Sequence, residues 1–344
     1  MKRKVLISIN HSPQANFFKT IAKNLTSEGF EVHISFLKRG KLEEIVAKEF
    51  RNYKRFTMGR HRNNFISIIV EATLVSFIRL LKLNLKNGYS VAISTGCFKS
   101  GMSMRLLGRP SLMFGDDPER ILNHSIKRLV ATNTYYPSFN TKNKRQSTFK
   151  ALKEWSYLSP RYFNPDNSVL KEYDLSSKEY IFMREVDTRT LNYREQTRGK
   201  IAAISKIIGR KHKVVISLED KEIKYKFPED WIILEEPVSD IYSLMYYSRL
   251  VFSTGDSVAR EAALLGVESY YCGERNMAAN KTLIDYGLLT KIECNKIPSI
   301  IEKTRYGNTE LKRQGLVRKV LERNWTDLNV FVTTLVKKVV GNNC

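Results

Sequence analysis

The sequence predicts an α/β protein made of two successive doubly wound domains, and three observations carry that prediction. Strand patterns alternate with helix patterns through the first third of the chain, and the same alternation restarts near Tyr180. A turn-rich segment, Asn164-Pro165-Asp166-Asn167-Ser168, lies between the two runs. Strands separated by helices imply βαβ units and parallel sheets. A length of 344 residues exceeds one small core and suits two domains.

The elements follow in order. Lys4–Asn10 is an apolar strand, and Ala15–Gly29 places Phe18, Ile21, Ala22 and Leu25 at helical spacing, with Gly29 as its stop. Glu31–Leu37 alternates as a second strand, Leu42–Phe50 reads as a helix and Tyr89–Thr95 as a strand. Gly96 opens a loop to a short helix at Ser100–Leu107, and Pro110–Phe114 is the next strand. In the second half the strands are Tyr180–Met183, Lys213–Leu218, Trp231–Leu234, Leu250–Ser253 and Ser269–Cys272. Helices are expected at Arg198–Ile208, Ile241–Tyr247 and Ser257–Leu265. A basic amphipathic helix, Asn329–Val340, ends the pattern.

Composition is that of a globular protein, with 42% hydrophobic and 27% charged residues. The charge is unusual: 58 Lys plus Arg against 35 Asp plus Glu leave a net +23. Such an excess suits a polyanionic partner, whether nucleic acid, an anionic membrane or a phosphorylated substrate, or else a solvated basic surface. A nucleic-acid partner is disfavoured, because no recognition module is present and the basic residues are scattered. Cys97, Cys272, Cys294 and Cys344 form no CxxC pair and match neither a zinc site nor a disulfide framework. They read as reduced thiols of a cytoplasmic protein. The apolar run Val5–Ile9 after Met1-Lys2-Arg3-Lys4 is too short for a signal-peptide core.

Nine basic residues fall between Lys38 and Arg62 (among them Arg39, Lys41, Arg51, Lys54 and Arg55) against Glu43, Glu44 and Glu49. The apolar Phe65–Leu85 segment follows. Glu71, Arg79 and Lys82 inside it argue against a membrane-spanning helix. It reads chiefly as a core helix with Ser67, Glu71 and Lys82 as an outer stripe. The alternative is an apolar surface that docks, with the basic run, on anionic lipid.

Chemistry concentrates in Val251–Gly266, where a buried strand ends in Ser253-Thr254-Gly255-Asp256-Ser257 and a helix begins. Gly255 permits close backbone approach, and the unpaired amides and positive dipole end of a helix suit a diphosphate. Glu261 falls about one turn into that helix, where a carboxylate can accept from the vicinal hydroxyls of a ribose. Helix capping by Asp256 and Ser257, with Glu261 on the surface, is the structural alternative.

This stretch resembles the nucleotide-sugar motif of GT-B glycosyltransferases and UDP-sugar 2-epimerases. More specifically, the chain resembles domain-of-unknown-function family 354, a group of GT-B-like proteins. The resemblance runs through Ile9–Phe18, Phe114-Gly-Asp-Asp-Pro-Glu119, Tyr157–Phe163, Ser239–Tyr247, Val251–Gly266 and Asp285-Tyr-Gly-Leu-Leu289. It implies GT-B architecture: two Rossmann-like domains facing a central cleft. Residues 1–163 would form the acceptor-side domain and 164–325 the nucleotide-sugar domain, with 326–344 packing back on the first. The activity implied is transfer of a sugar from a nucleotide-sugar donor to a glycan or polyprenyl-linked acceptor in surface polysaccharide assembly. That places the protein in the cytoplasm, peripheral on the inner face of the cell membrane. A UDP-sugar 2-epimerase is the alternative enzyme and a nucleic-acid-binding protein the alternative without catalysis. No cofactor or metal is expected, and the donor is expected to be UDP-linked.

Arg184, Gly255, Asp256, Ser257 and Glu261 are then the donor-binding candidates, with Arg184 neutralising the leaving diphosphate. Asp116, Asp117 and His11 are the candidate catalytic residues, one of them serving as general base on the acceptor hydroxyl. A helix-initiating turn at Asp117-Pro118 and a solvated loop at His11 are the structural alternatives. The sequence departs from the family where Pro13-Gln14 replaces Pro-His, where Arg120 replaces a histidine, and where Arg184-Glu-Val-Asp-Thr-Arg-Thr190 lacks His-Asp. A mechanism through those histidines does not carry over.

Overall fold

The computed structural model describes residues 3–60, 71, 73–115, 129–140, 147–190, 193–235, 238, 240–304 and 309–341. The chain parts into two compact units, Met1–Tyr157 with Trp325–Cys344, and Leu158–Asn324. The division precedes the turn-rich 164–168 segment because Arg318 ties the intervening stretch to the second unit. Its guanidinium donates to the carbonyls of Leu158 and Phe163 at 3.1 and 2.6 Å.

In the first unit, seven strands form one parallel sheet: β1 Lys4–Ile9, β2 Glu31–Lys38, β3 Lys54–Arg60, β4 Val91–Ser94, β5 Ser111–Phe114, β6 Asn133–Pro137 and β7 Ser147–Phe149. Their order is β3-β2-β1-β4-β5-β6-β7. The second unit repeats the scheme with β8 Tyr180–Glu185, β9 Lys213–Leu218, β10 Ile232–Ile233, β11 Leu250–Ser253, β12 Glu268–Tyr271 and β13 Leu289–Lys291, ordered β10-β9-β8-β11-β12-β13. In each sheet the order reverses beside the unit's first strand, between β1 and β4 and between β8 and β11. Ligands of doubly wound sheets bind outside the carboxyl ends of the strands at such a switch point.

Both faces of a parallel sheet are covered, so its central strands must be apolar throughout. Val5, Leu6, Ile7 and Ile9 of β1 and Leu250, Val251 and Phe252 of β11 are accordingly buried. The strand β3 was not foreseen. It is an edge strand whose Lys54, Arg55 and Arg60 remain exposed, so the basic run hid its pairing with β2.

Helix Ser12–Ser27 begins three residues earlier than its apolar pattern, since Pro13 fits the first turn. It buries Phe17, Phe18, Ile21 and Leu25, and Gly29 at φ +86° reverses the chain into β2. The final helix, Leu328–Gly341, packs on it within the first unit, and Lys337 pairs with Glu28.

The described part of the apolar 65–85 segment forms helix Ser76–Asn87, which buries Ser76, Leu80 and Asn84. Asn84 Nδ2 donates to Ser103 Oγ at 2.6 Å on helix Phe98–Leu106. With that stripe turned inward, Leu74, Ile78 and Leu85 stand exposed, so this part is not the core helix expected from its composition. No helix among the described residues is long and apolar enough to cross a membrane.

Candidate functional site

At the second switch point the carboxyl ends of β8 and β11 are knit together. Thr254 N donates to the Arg184 carbonyl at 3.0 Å, and Val186 N donates to Thr254 Oγ1 at 3.0 Å. Ser253 Oγ accepts from Gly255 N at 3.0 Å and donates to the Gly255 carbonyl at 2.7 Å. The turn is therefore rigid, and Gly255 is required by space: a Cβ there would lie 2.7 Å from Val186 Cγ1.

Helix Asp256–Leu264 starts at Gly255, which offers no side-chain cap. Its first-turn amides lack intrahelical acceptors, as those of every helix start do. Residues four apart share a face, and two such pairs divide the first turns. Asp256 and Arg260 form the inward pair, with Arg260 Nη1 donating to Asp256 Oδ2 at 3.0 Å, both side chains buried. Asp256 Oδ1 accepts further from Tyr193 OH at 2.7 Å and from Arg275 Nη1 at 2.9 Å. Two guanidiniums against one carboxylate leave this cluster with a net charge of about +1 at the positive end of the helix. Arg275 follows β12, and its side chain keeps 20% of its surface open to solvent.

Ser257 and Glu261 form the second pair. The Ser257 side chain is half-buried and has no hydrogen-bond partner among the described residues. Glu261 is buried at 7% exposure and accepts from Tyr242 OH at 3.3 Å. The helical rise puts the two about 6 Å apart along the axis, a span suited to a polar ligand lying along that face.

Arg184 is the penultimate residue of β8, and its guanidinium runs along its own sheet. It donates to Ser217 Oγ and pairs with Glu219, both from the end of β9 and the residues after it. The adjacent Glu185 is fully buried. Its Oε2 accepts from the amides of Ile201 and Ala202 at 2.6 and 3.3 Å, at the start of helix Lys200–Ile208, and Thr254 Oγ1 lies 3.4 Å from Oε1. Burial pushes this carboxyl up to about 7, against the pull of those amides.

In the first unit, His11 precedes helix Ser12–Ser27 at the end of β1. Gln14 fixes this loop: its Oε1 accepts from Asn10 N at 2.7 Å, and its Nε2 donates to the Thr95 carbonyl after β4 at 3.0 Å. Gln14 thus ties together the two strands flanking the first switch point. Arg39, following β2, places Nη1 3.2 and 3.3 Å from His11 Nδ1 and Nε2. Asp116 and Asp117 lie outside the described residues.

The structure therefore gathers Gly255, Asp256, Ser257 and Glu261 on one turn and helix start, while Arg184 turns to Glu219. Arg275, Tyr193, Tyr242 and Glu185 were not foreseen. Arg275 and Tyr193 come from loops with no periodic signal, and only the fold brings them to Asp256. Glu185 is hidden in sequence because a Glu at a strand end ordinarily reads as exposed.

The model of a family described as a protein of unknown function, DUF354, matches residues 3–330. An uncharacterized protein of Methanocaldococcus jannaschii is 24% identical over 332 residues, covering 91% of this chain and 93% of that protein. Among solved structures, spinosyn forosaminyltransferase SpnP aligns with a TM-score of 0.69 at 13% identity, covering 98% of this chain and all (100%) of that one. The UDP-GlcNAc 2-epimerase from Neisseria meningitidis, bound to UDP-GlcNAc, gives 0.67 at 12% identity over 98% and 100% of the two chains. Glycosyltransferase VinC in complex with dTDP gives 0.67 at 11% identity over 98% and 100%. At such identities the likeness is one of fold, and the fold is of the GT-B type shared by glycosyltransferases and UDP-sugar 2-epimerases.

Proposed function

The chain belongs to the DUF354 family, and from its GT-B-type fold and the second unit's geometry we propose that it is a glycosyltransferase using a UDP-linked sugar donor. The observation that carries the reading is the β11 turn and helix Asp256–Leu264, with uncapped amides, a cationic Asp256–Arg260–Arg275 cluster and Glu261 one turn on. The diphosphate lies at the helix start, where the amides of the first turn and Arg275 neutralise it. Ser257 contacts the phosphates and Glu261 accepts from the ribose hydroxyls. Asp256 holds Arg275 in place, and Arg184 supports the site from the end of β8.

In the reaction an acceptor hydroxyl attacks the anomeric carbon, the bond from that carbon to the β-phosphate oxygen breaks, and the nucleoside diphosphate leaves. Positive charge held at the helix start before the reaction stabilises the negative charge that develops there. Asp116 or Asp117 takes the acceptor proton, with His11 as the other candidate base. The acceptor is a glycan or polyprenyl-linked sugar of surface polysaccharide assembly, met at the inner face of the membrane.

The membrane reading draws on the first unit's surface. Phe98, Met102 and Leu106 repeat every four residues along helix Phe98–Leu106 with 40%, 47% and 61% of their surfaces exposed. Arg79, Lys82, Lys86 and Arg105 supply charge on the same helix pair. An apolar stripe beside basic residues is the pattern that docks on anionic lipid.

A UDP-sugar 2-epimerase is the second reading, favoured by the epimerase among the similar folds. One assay separates the two. The purified protein is incubated with UDP-GlcNAc, with and without polyprenyl-linked acceptors, and products are followed by mass spectrometry and NMR. Sugar transfer that requires an acceptor supports the transferase. Conversion to the C2 epimer without acceptor would replace it.

A further inference from the structure

We propose that the loops at the first unit's switch point form a phosphate-binding subsite built on Arg39 and His11. On the transferase reading, that phosphate is carried by the acceptor. At the second switch point Arg184 pairs with Glu219 and Arg275 with Asp256, and next to Arg39 in the chain Lys38 pairs with Glu43. Arg39 differs. It is half-buried, its partner is the His11 ring, and no carboxylate among the described residues pairs with it. Burial lowers its affinity for a proton, so holding a guanidinium there without a counter-charge is unfavourable. A bound anion removes that cost.

Two further observations point the same way. Helix Ser12–Ser27 begins beside this pair with no side-chain cap and no acidic residue in its first turn, so its positive end is uncompensated. At the end of β4, beside the Gln14 bridge, the hydroxyl of Thr95 is buried with no partner among the described residues. The Arg39 guanidinium after β2, the His11 imidazole and the start of helix Ser12–Ser27 supply the donors. That arrangement suits a tetrahedral phosphate better than a planar carboxylate, which one arginine can satisfy by itself. The net charge of +23 favours such a ligand in addition. His11 then binds the ligand, and base catalysis stays with Asp116 or Asp117.

The test uses the full chain saturated with UDP, so that the second unit's site is filled. The chain has five histidines, and ring-labelled NMR spectra identify the His11 signal by its loss in His11→Gln. Inorganic phosphate is titrated first, then glucose 1-phosphate and geranyl phosphate, which represent soluble and lipid-linked sources. The His11 signal is expected to move saturably with phosphate. Arg39→Gln should weaken that binding by about tenfold, the loss of one charge-assisted contact, and Arg39→Lys should restore part of it. Thermal melts confirm that the variants fold. A His11 signal that ignores all three phosphates, or equal affinity in Arg39→Gln, would overturn the proposal. Failure of UDP to bind would count against the donor reading alone, because phosphate can be titrated without it.

Discussion

Arg275 Nη1 stands 2.9 Å from Asp256 Oδ1, so the acid at the start of the helix proposed to receive a diphosphate is held by a cation from another loop. An uncompensated carboxylate there would repel a diphosphate. Neutralised by Arg260 and Arg275, it becomes a support for positive charge.

Arg275 is therefore expected to matter more to the nucleotide than Arg184. Arg275→Ala should weaken UDP binding by about 2 kcal/mol, roughly thirtyfold, as loss of a charge-assisted hydrogen bond does. Arg184→Ala should cost less, since its guanidinium already serves Glu219. Calorimetric titration of both variants checks the order, and equal losses would contradict it.

Glu185 should leave a mark on the pH dependence of stability. Its folded pKa of about 7 exceeds the ordinary 4.5 through burial. The folded state thus keeps a proton that the unfolded chain releases between those values, and stability falls as pH rises through that window. The full effect is on the order of 3 kcal/mol. Glu185→Gln keeps an acceptor for the Ile201 amide and removes the titration. Its unfolding free energy, relative to wild type, should rise from pH 4.5 to 7. Buried Lys178, lowered to about 7, titrates in the opposite sense above that range and cancels in the comparison. A constant difference across the window would refute the assignment.

Much of this architecture was legible in the sequence. Apolar runs marked β1 and β11, because burial on both sheet faces leaves little alternative. Edge strand β3 and the polar helix Thr309–Asn324 were not legible. The first is covered by charges. The second packs through Gln314, whose Cα would lie 2.8 Å from a Cβ on Gly266, and through Arg318, so no apolar stripe announces it. The helix start and Glu261 were readable from local order. Arg275, Tyr193 and the Arg39–His11 contact depend on which loops the parallel topology brings side by side.

Asp116 and Asp117 are expected to govern turnover more than donor binding. Asp→Asn at either position should leave the UDP dissociation constant within about twofold and lower the transfer rate by 10²-fold or more at the position that supplies the base, roughly the contribution of general base catalysis. Full rates in both variants, with an identified acceptor, would remove both from the mechanism.

Membrane docking predicts retention on anionic but not neutral liposomes. Each basic residue near the surface contributes about 1 kcal/mol, and salt weakens the sum over a Debye length of about 8 Å. Co-sedimentation should drop for Met102→Asp with Leu106→Asp, and for charge reversal at Arg79 and Lys82. Tight DNA or RNA binding in a gel-shift assay, with no liposome retention, would contradict this and favour a nucleic-acid partner.

The nucleotide site on helix Asp256–Leu264 can be probed by calorimetric titration of UDP and 2′-deoxy-UDP into wild type and Glu261→Ala. Wild type is expected to bind UDP about tenfold more tightly than the deoxy compound, the worth of one hydrogen bond to a charged acceptor. Glu261→Ala is expected to bind both equally and weakly. UDP binding that ignores both the 2′-hydroxyl and the loss of Glu261, or no nucleotide binding at all, would contradict the nucleotide site.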